Sequence, residues 1–368
     1  MFLKELKLNG FRNWNLGEFT FSPGLNVLCG NNAQGKTNCA EGVFFLCTGI
    51  SPLASREKQV IAFGREEASV SGTAATSFGD VKVEISLKEG KRKQIKVNGA
   101  TLSKAGDLLG NVNAVFFNPD ELKLIKDAPS DRRRFLDVAI SQLKRPYFYE
   151  LLRYNKILEQ RNRLLKEEDE ETVWETLPVW DEQLAEAGSY IMVQRQEFCE
   201  KLAPYAKAAH AALTAGKEEL VISPQCKLAG DQKTIFHAFF EGLAQRREQD
   251  LRAGFTTVGP HRDDLKIEIN GSDVKTYCSQ GQKRSAALSI KLAELDIMRA
   301  ETGEYPLFIL DDVLSELDKD RQKRLLSKLS GVQTVLTATH LDEEVFQGLS
   351  YRLFTVDHGT YTVREEKG

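Results

Sequence analysis

Apolar positions along the chain change their period twice. From Gly24 to Gly30 a short apolar run lies between glycines, the pattern of a buried strand. Val81 to Leu87 alternates apolar and polar residues. A turn at Glu89-Gly90 leads into Gln94 to Val97, which predicts a hairpin, and Asn98-Gly99 marks a further turn. Val112 to Phe117 reads as another buried strand, so the first hundred or so residues predict strands and turns. In the middle of the chain the spacing becomes helical. Tyr147, Leu151, Tyr154, Leu158 and Leu165 form one stripe interrupted by Arg161. Trp180, Leu184, Ala187, Ile191 and Phe198 form another, with Gln194 in the gap. A polar, acidic stretch from Lys166 to Glu171 separates them. This predicts two long helices packed antiparallel through a seam and joined at a solvated tip; two ordinary amphipathic helices of a core would carry nearly the same pattern. From about Ala253 strands return. Leu265 to Ile269 alternates, a helix is expected from Gln282 to Arg299, and apolar strands follow at Leu307 to Leu310 and Thr334 to Thr337. The expected organisation is an α/β domain in two parts, residues 1–127 and 255–368, interrupted by a helical lobe with an antiparallel arm over 128–254.

Composition narrows the picture without overturning it. The apolar fraction of 41% and charged fraction of 28% are ordinary for a globular chain. No apolar run of about 18 residues occurs, so no membrane span is expected, and Met1 to Glu5 does not read as a signal peptide. The net charge of −3 means that any nucleic-acid contact must rely on local basic clusters. The six cysteines are scattered without a C-x-x-C pair, which argues for reduced thiols rather than zinc or disulfides.

Chemistry enters with Gly30-Asn31-Asn32-Ala33-Gln34-Gly35-Lys36-Thr37, which fits the phosphate-loop pattern G-x-x-x-x-G-K-S/T between a strand and a helix. Its glycines let successive N–H groups face one anion, and the helix N-terminus adds its positive end. Lys36 would then neutralise the β and γ phosphates of ATP, and Thr37 would ligate Mg²⁺. The apolar strand ending in Asp311-Asp312 offers one carboxylate for the metal and a second to orient an attacking water. Cys278-Ser279-Gln280-Gly281-Gln282 stands before a helix. Ser279, the Gly281 N–H and Gln282 resemble the signature of ABC ATPases, usually written LSGGQ. A plain N-cap would account for Ser279 alone. Ser315-Glu316-Leu317-Asp318 matches their D-loop, and His340 stands where their γ-phosphate-sensing histidine belongs. The expected fold is therefore α/β: a P-loop NTPase, specifically an ABC-type ATPase head with an inserted α-helical lobe. In such ATPases the signature of one subunit faces the phosphate loop of another, so ATP would complete a head-to-tail homodimer.

Longer blocks are more specific. Phe11 to Trp14, Gly30 to Asn38, Ser55-Arg56, Phe117 to Leu122, Asp131 to Asp137, Gly259 to Leu265, Ser279 to Gln282 and Leu310 to Asp318 closely resemble the bacterial RecF family. The resemblance covers nearly the whole chain. It implies a cytoplasmic recombination mediator that dimerises with ATP on DNA and recognises gapped or junction DNA. It also implies action with RecR and RecO to help RecA load onto coated single strands, and ties to replication-fork repair and the SOS response. Two departures from ABC ATPases stand out. Asp312 replaces their usual Glu, as in RecF-like proteins, and suggests slow hydrolysis. Asn118 and Asp120 stand near the place of the Q-loop glutamine. Candidate DNA-phosphate contacts are Arg132 to Arg134, Lys144-Arg145, Lys91 to Lys93 and Arg246-Arg247, although Arg132 to Arg134 would equally suit pairing with acids. The competing functional reading is the ATPase subunit of a membrane transporter.

Overall fold

The structure, a computed structural model, describes residues 1–167, 170–226 and 228–366. The chain divides into two compact units. One comprises Met1–Leu122, Ala208–Glu219 and Ser279–Gly368; the other comprises Lys123–Lys207 and Leu220–Cys278.

The first unit holds a six-stranded sheet in the order Thr360–Glu366, Tyr351–Asp357, Leu25–Cys29, Thr334–Ala338, Leu307–Asp311 and Ala114–Phe117. All pairings are parallel except the hairpin at the Thr360–Glu366 edge. Every residue of Leu307–Asp311, Thr334–Ala338 and Ala114–Phe117 is buried. Strands covered on both faces need continuous apolar runs, which is the pattern seen in the sequence. A second, antiparallel sheet runs Trp14–Thr20, Phe2–Phe11, Glu67–Thr76, Gly79–Lys88, Gln94–Val97, Ala100–Thr101, and its strands largely alternate buried and open residues. Helix Lys36–Thr48 lies against strands of both sheets. Its residues from Cys39 onward are buried, including Glu41, so it is apolar almost all round, as a helix enclosed by two layers must be. The register of the parallel sheet brings the acidic strand end to the level of the phosphate loop. Asp311 lies level with Thr337, and Thr337 with Leu28, one residue before the strand gives way to that loop.

The second unit is mainly helical. Helix Arg145–Glu167 and the part of helix Glu170–Thr214 up to Lys207 run antiparallel in it: Tyr147 meets Arg195, Arg153 meets Glu186 and Arg161 meets Asp181, one number rising as the other falls. Tyr147, Tyr154, Leu165, Leu184, Ala187, Ile191 and Phe198 are buried along the seam. Of the expected tip, Glu168 and Asp169 lie outside the described residues. The polar break at Arg161 is itself fully buried. Its guanidinium donates to Asp181 and Asp250, each at 2.8 Å, and to Thr256 at 2.8 Å. Leu265 to Ile269 forms the centre of a three-stranded sheet between Ser272–Asp273 and Leu220–Gln225. Among the described residues no helix is long and apolar enough to cross a membrane.

Candidate functional site

Between Cys29 and helix Lys36–Thr48 the chain bends back on itself, with left-handed φ values of 65° at Ala33 and 112° at Gly35. Glycine is required at two points of close approach. A Cβ on Gly30 would lie 2.3 Å from the carbonyl oxygen of Val356, and one on Gly35 would lie 2.6 Å from Asn13 Nδ2. The Lys36 ammonium folds over the loop and donates to the carbonyls of Gly30 and Asn31, each at 2.7 Å. Burial lowers its pKa, and the carboxylate of Asp312 is the main influence raising it again. Asn31, Asn32 and Ala33 are exposed, so the concave side of the loop is open.

Two acids close the other wall. Thr37 Oγ1 donates to Asp311 Oδ1 at 2.8 Å. Thr337 Oγ1 donates to the same oxygen at 2.7 Å and accepts the main-chain N–H of Asp312 at 2.9 Å. Burial raises the Asp311 pKa, against the two hydroxyl hydrogen bonds that lower it. Asp312 occupies a left-handed conformation with φ 53°, a strained position for a residue with a side chain. Ser315 Oγ donates to its carbonyl at 3.0 Å and lies 3.2 Å from its Oδ1. One open pocket is lined by Asn32 to Asn38 with Asp312, Thr337 and Thr339. A hydroxyl and a buried carboxylate, both hard oxygen donors, are the set that Mg²⁺ takes beside a phosphate.

His340 is exposed beyond strand Thr334–Ala338, with Nδ1 3.2 Å from Thr339 Oγ1, and does not line this pocket. Ser279, Gly281 and Gln282 do not line it either. Ser279 caps helix Gln280–Thr302: its Oγ accepts from the Gln282 N–H, and Gln282 Oε1 accepts from the Ser279 N–H. The helix therefore begins two residues earlier than the apolar pattern indicates, because the cap is polar and outside that pattern. Asn118 is buried and its Oδ1 accepts the Glu121 N–H at 3.2 Å. Ser315 to Asp318 follow strand Leu307–Asp311, with Glu316 2.8 Å from Arg284 and Asp318 capping helix Lys319–Lys328.

Several contributors escape a reading of motifs. Thr337 orients the Asp311 carboxylate and holds the Asp312 main chain. Gln34 is held by two distant turns: its carbonyl accepts from Asn13 Nδ2 and the Gly359 N–H, each at 3.1 Å, and its Oε1 accepts the His358 N–H at 2.6 Å. The only local signals are Asn13 beside a turn and His358-Gly359 at a hairpin end.

Several of the basic candidates prove to be engaged. Arg132 donates to Asp264 at 2.5 and 2.9 Å, and Arg133 to the Asp263 carbonyl at 2.8 Å. Lys144 meets Gln194 and Glu197, Arg247 meets Asp181, and Lys93 pairs with Glu57. Arg134, Lys91 and Arg92 are exposed.

Comparison with known proteins runs along the same lines. Residues 2–359 match the family described as RecF/RecN/SMC N terminal domain. The DNA replication and repair protein RecF of Alkaliphilus oremlandii is 42% identical over 346 residues, covering 93% of this chain and 94% of its own. Its counterpart from Symbiobacterium thermophilum is 41% identical over 378 residues, covering 100% of both. The solved structure of the recombination mediator protein RecF-ATP in the RecFOR pathway is 37% identical with a TM-score of 0.89, over 99% of this chain and 97% of that one. An Smc head bound to the C-winged helix domain of ScpA is 16% identical with a TM-score of 0.58, over 100% and 98% of the two chains, and shares the fold alone. The fold is thus the α/β ABC-type ATPase head, and the chain belongs to the RecF family of DNA replication and repair proteins.

Proposed function

We propose that this chain is a recombination mediator: an ATP-dependent, dimerising, DNA-binding switch that acts in repair and replication of gapped DNA. The observation that carries the reading is the separation of two phosphate-binding elements. Lys36, Thr37 and Asp312 converge on one open pocket, with Asp311 bonded behind Thr37, while the capped helix N-terminus at Ser279 is exposed and lines none of it. A second copy presenting Ser279, Gly281 and Gln282 to the γ-phosphate would complete each site.

In this reading the N–H groups of Asn31 to Thr37 cradle ATP and Lys36 exchanges its two loop carbonyls for phosphate oxygens. Thr37 and Asp311 hold Mg²⁺, which supplies charge neutralisation on the phosphates. Asp312, fixed by Ser315, orients the attacking water, and His340 senses the γ-phosphate. The shorter side chain of Asp312 favours slow hydrolysis, so the protein works as a switch: bound ATP supplies the free-energy difference between separate and clasped copies, and hydrolysis removes it. The name of the solved relative, a recombination mediator with ATP in the RecFOR pathway, supports ATP as the nucleotide and RecR and RecO as partners. RecA loading, a part in the SOS response and a cytoplasmic location follow from the same kinship. Exposed Arg134, Lys91 and Arg92 are the candidates for DNA-phosphate contact, which makes affinity for DNA fall steeply with salt.

Sedimentation of the protein with and without MgATP and gapped DNA tests the reading. Pairing is expected only with MgATP, and is lost in Ser279→Arg while nucleotide binding persists. Identical sedimentation of the wild type and Ser279→Arg in MgATP would overturn it.

A further inference from the structure

Behind Ser279 runs a polar relay that the phosphate pocket does not use. Gln282 holds Ser279 twice: its N–H donates to Ser279 Oγ at 3.3 Å, and its Oε1 accepts the Ser279 N–H at 2.9 Å. Because Ser279 Oγ accepts here, its own proton is left to point outward. The Gln282 amide is oriented in turn by Glu218, whose Oε1 accepts from Nε2 at 3.2 Å. Glu218 Oε2 lies 3.1 Å from His210 Nε2, and His210 Nδ1 lies 3.0 Å from Ser289 Oγ. Gln282 and Ser289 stand two turns apart on one face of the same helix. The pair Glu218–His210 therefore bridges that face.

The bridge is built with some strain. His210 is fully buried, and Glu218 retains 15% of its side-chain surface. A carboxylate facing Nε2 selects the tautomer with the proton there. Nδ1 is then left to take the Ser289 hydroxyl proton in competition with the Ser285 carbonyl, 2.6 Å away. Glu218 is delivered by a turn in which Ala215 and Gly216 both adopt left-handed φ, 54° and 72°, with the Gly216 N–H donating to the Ala211 carbonyl at 2.8 Å. An alanine is held in that region only where surrounding contacts require it.

We propose that Glu218 is a positioning residue for the ATP clasp. Anchored on His210, it fixes the Gln282 amide, and through it holds the Ser279 hydroxyl and the helix N-terminus in the orientation that receives the γ-phosphate of a nucleotide on a second copy. The proposal rests on the clasp reading of the two phosphate-binding elements. A mere staple between turn and helix would alter stability without separating nucleotide binding from pairing.

The test measures MgATP affinity of the monomer, the MgATP-driven pairing constant and the melting temperature. The proteins are wild type, Glu218→Ala, Glu218→Gln, Gln282→Leu and the double variant Glu218→Ala/Gln282→Leu. Monomer affinity of the Glu218 variants is expected to stay within about two-fold of wild type, while Glu218→Ala weakens pairing about ten-fold, the scale of lost outer-layer support at ligand sites. Glu218→Gln, whose carbonyl still accepts from Gln282 Nε2 while its NH2 donates to the other tautomer of His210, restores most of it. The double variant falls no further than Gln282→Leu alone, since both act through one amide. Wild-type pairing by Glu218→Ala, a drop in pairing matched by the same drop in monomer affinity, or additive losses in the double variant would overturn the proposal. If Glu218→Ala does not fold, Glu218→Met, closer in volume, takes its place. A wild-type protein that stays monomeric in MgATP sinks the clasp reading, and this relay with it.

Discussion

Arg161 in the helical unit and Lys36 in the phosphate loop are both buried cations, yet their partners differ in kind. Arg161 meets two carboxylates, Asp181 and Asp250, and all three side chains are withdrawn from water. Lys36 rests on two main-chain carbonyls at the edge of an open pocket, with Asp312 across it. In the first arrangement the charge is matched by buried carboxylates, and losing a member leaves an uncompensated charge in a low dielectric. The second is provisional, because neutral carbonyls can be exchanged for phosphate oxygens at little cost. The same contrast separates Arg132, doubly bonded to Asp264, from Thr37, whose hydroxyl is parked on Asp311. A cation whose charge is already matched serves folding; one held by replaceable dipoles is ready for a ligand.

The contrast can be broken by substitution. Arg161→Ala leaves Asp181 and Asp250 buried with reduced compensation and is expected to lower stability by about 3–5 kcal/mol, read as a large fall in the urea midpoint. An unchanged midpoint would show that the helical unit tolerates the charges. Lys36→Ala should leave that midpoint nearly unaltered but cut MgATP affinity at least about 100-fold, roughly 2.7 kcal/mol; tight binding retained in a calorimetric titration would contradict the loop assignment.

Acid sharpens the comparison. Burial pushes the His261 pKa down to about 4 from 6.5, while Tyr154 Oη and the Thr256 carbonyl occupy its two nitrogens. Its folded pKa is depressed, so the unfolded chain takes the proton first. The stability it contributes is present above pH 6.5 and is lost as pH falls towards 4, on the order of 2–3 kcal/mol. Asp263, pushed up to about 6 by burial, works in the opposite sense and favours the fold as pH drops below 6. Comparing wild type with His261→Gln by denaturation at neutral pH and near pH 4.5 isolates the histidine: the variant should lose less stability on acidification. Equal losses would mean His261 is not held neutral. The smallest effect is expected at Thr337→Val, which removes the hydroxyl joining Asp311 to the Asp312 N–H. About 1 kcal/mol, or a several-fold weakening of MgATP binding, is the scale of one such hydrogen bond, and unaltered affinity would assign Thr337 to packing alone.

Much of the first unit is legible in sequence because its signals are contiguous. The loop Gly30 to Thr37 must be glycine-rich to turn, and the strands at Leu307 and Thr334 must be apolar to lie between two layers. The two long helices are legible from their stripes, and their polar breaks at Arg161 and Gln194 prove to be paired positions rather than defects. The basic clusters show where such reading stops. Arg132, Arg133 and Arg134 are alike as letters, but on helix Pro129–Leu143 they face different ways. One is buried against Asp264, one reaches the Asp263 carbonyl and one is exposed. The blocks Asp131 to Asp137 and Gly259 to Leu265, more specific than the generic ATPase motifs, turn out to bond to one another.

By itself, the sequence determined whatever depends on neighbours within a few residues: the curl of the phosphate loop, the polar cap at Ser279, the carboxylates closing an apolar strand, and the period of each helix. Tertiary structure decided what depends on register and burial. Thr337 reaches Asp311 because two parallel strands pair in one register, Gln34 is gripped by His358 from the far end of the chain, and Glu218 meets Gln282 only after a left-handed turn. Such contacts join residues whose separation carries no periodic trace. Their energies arise from geometry and exclusion of water, which no local pattern of letters encodes.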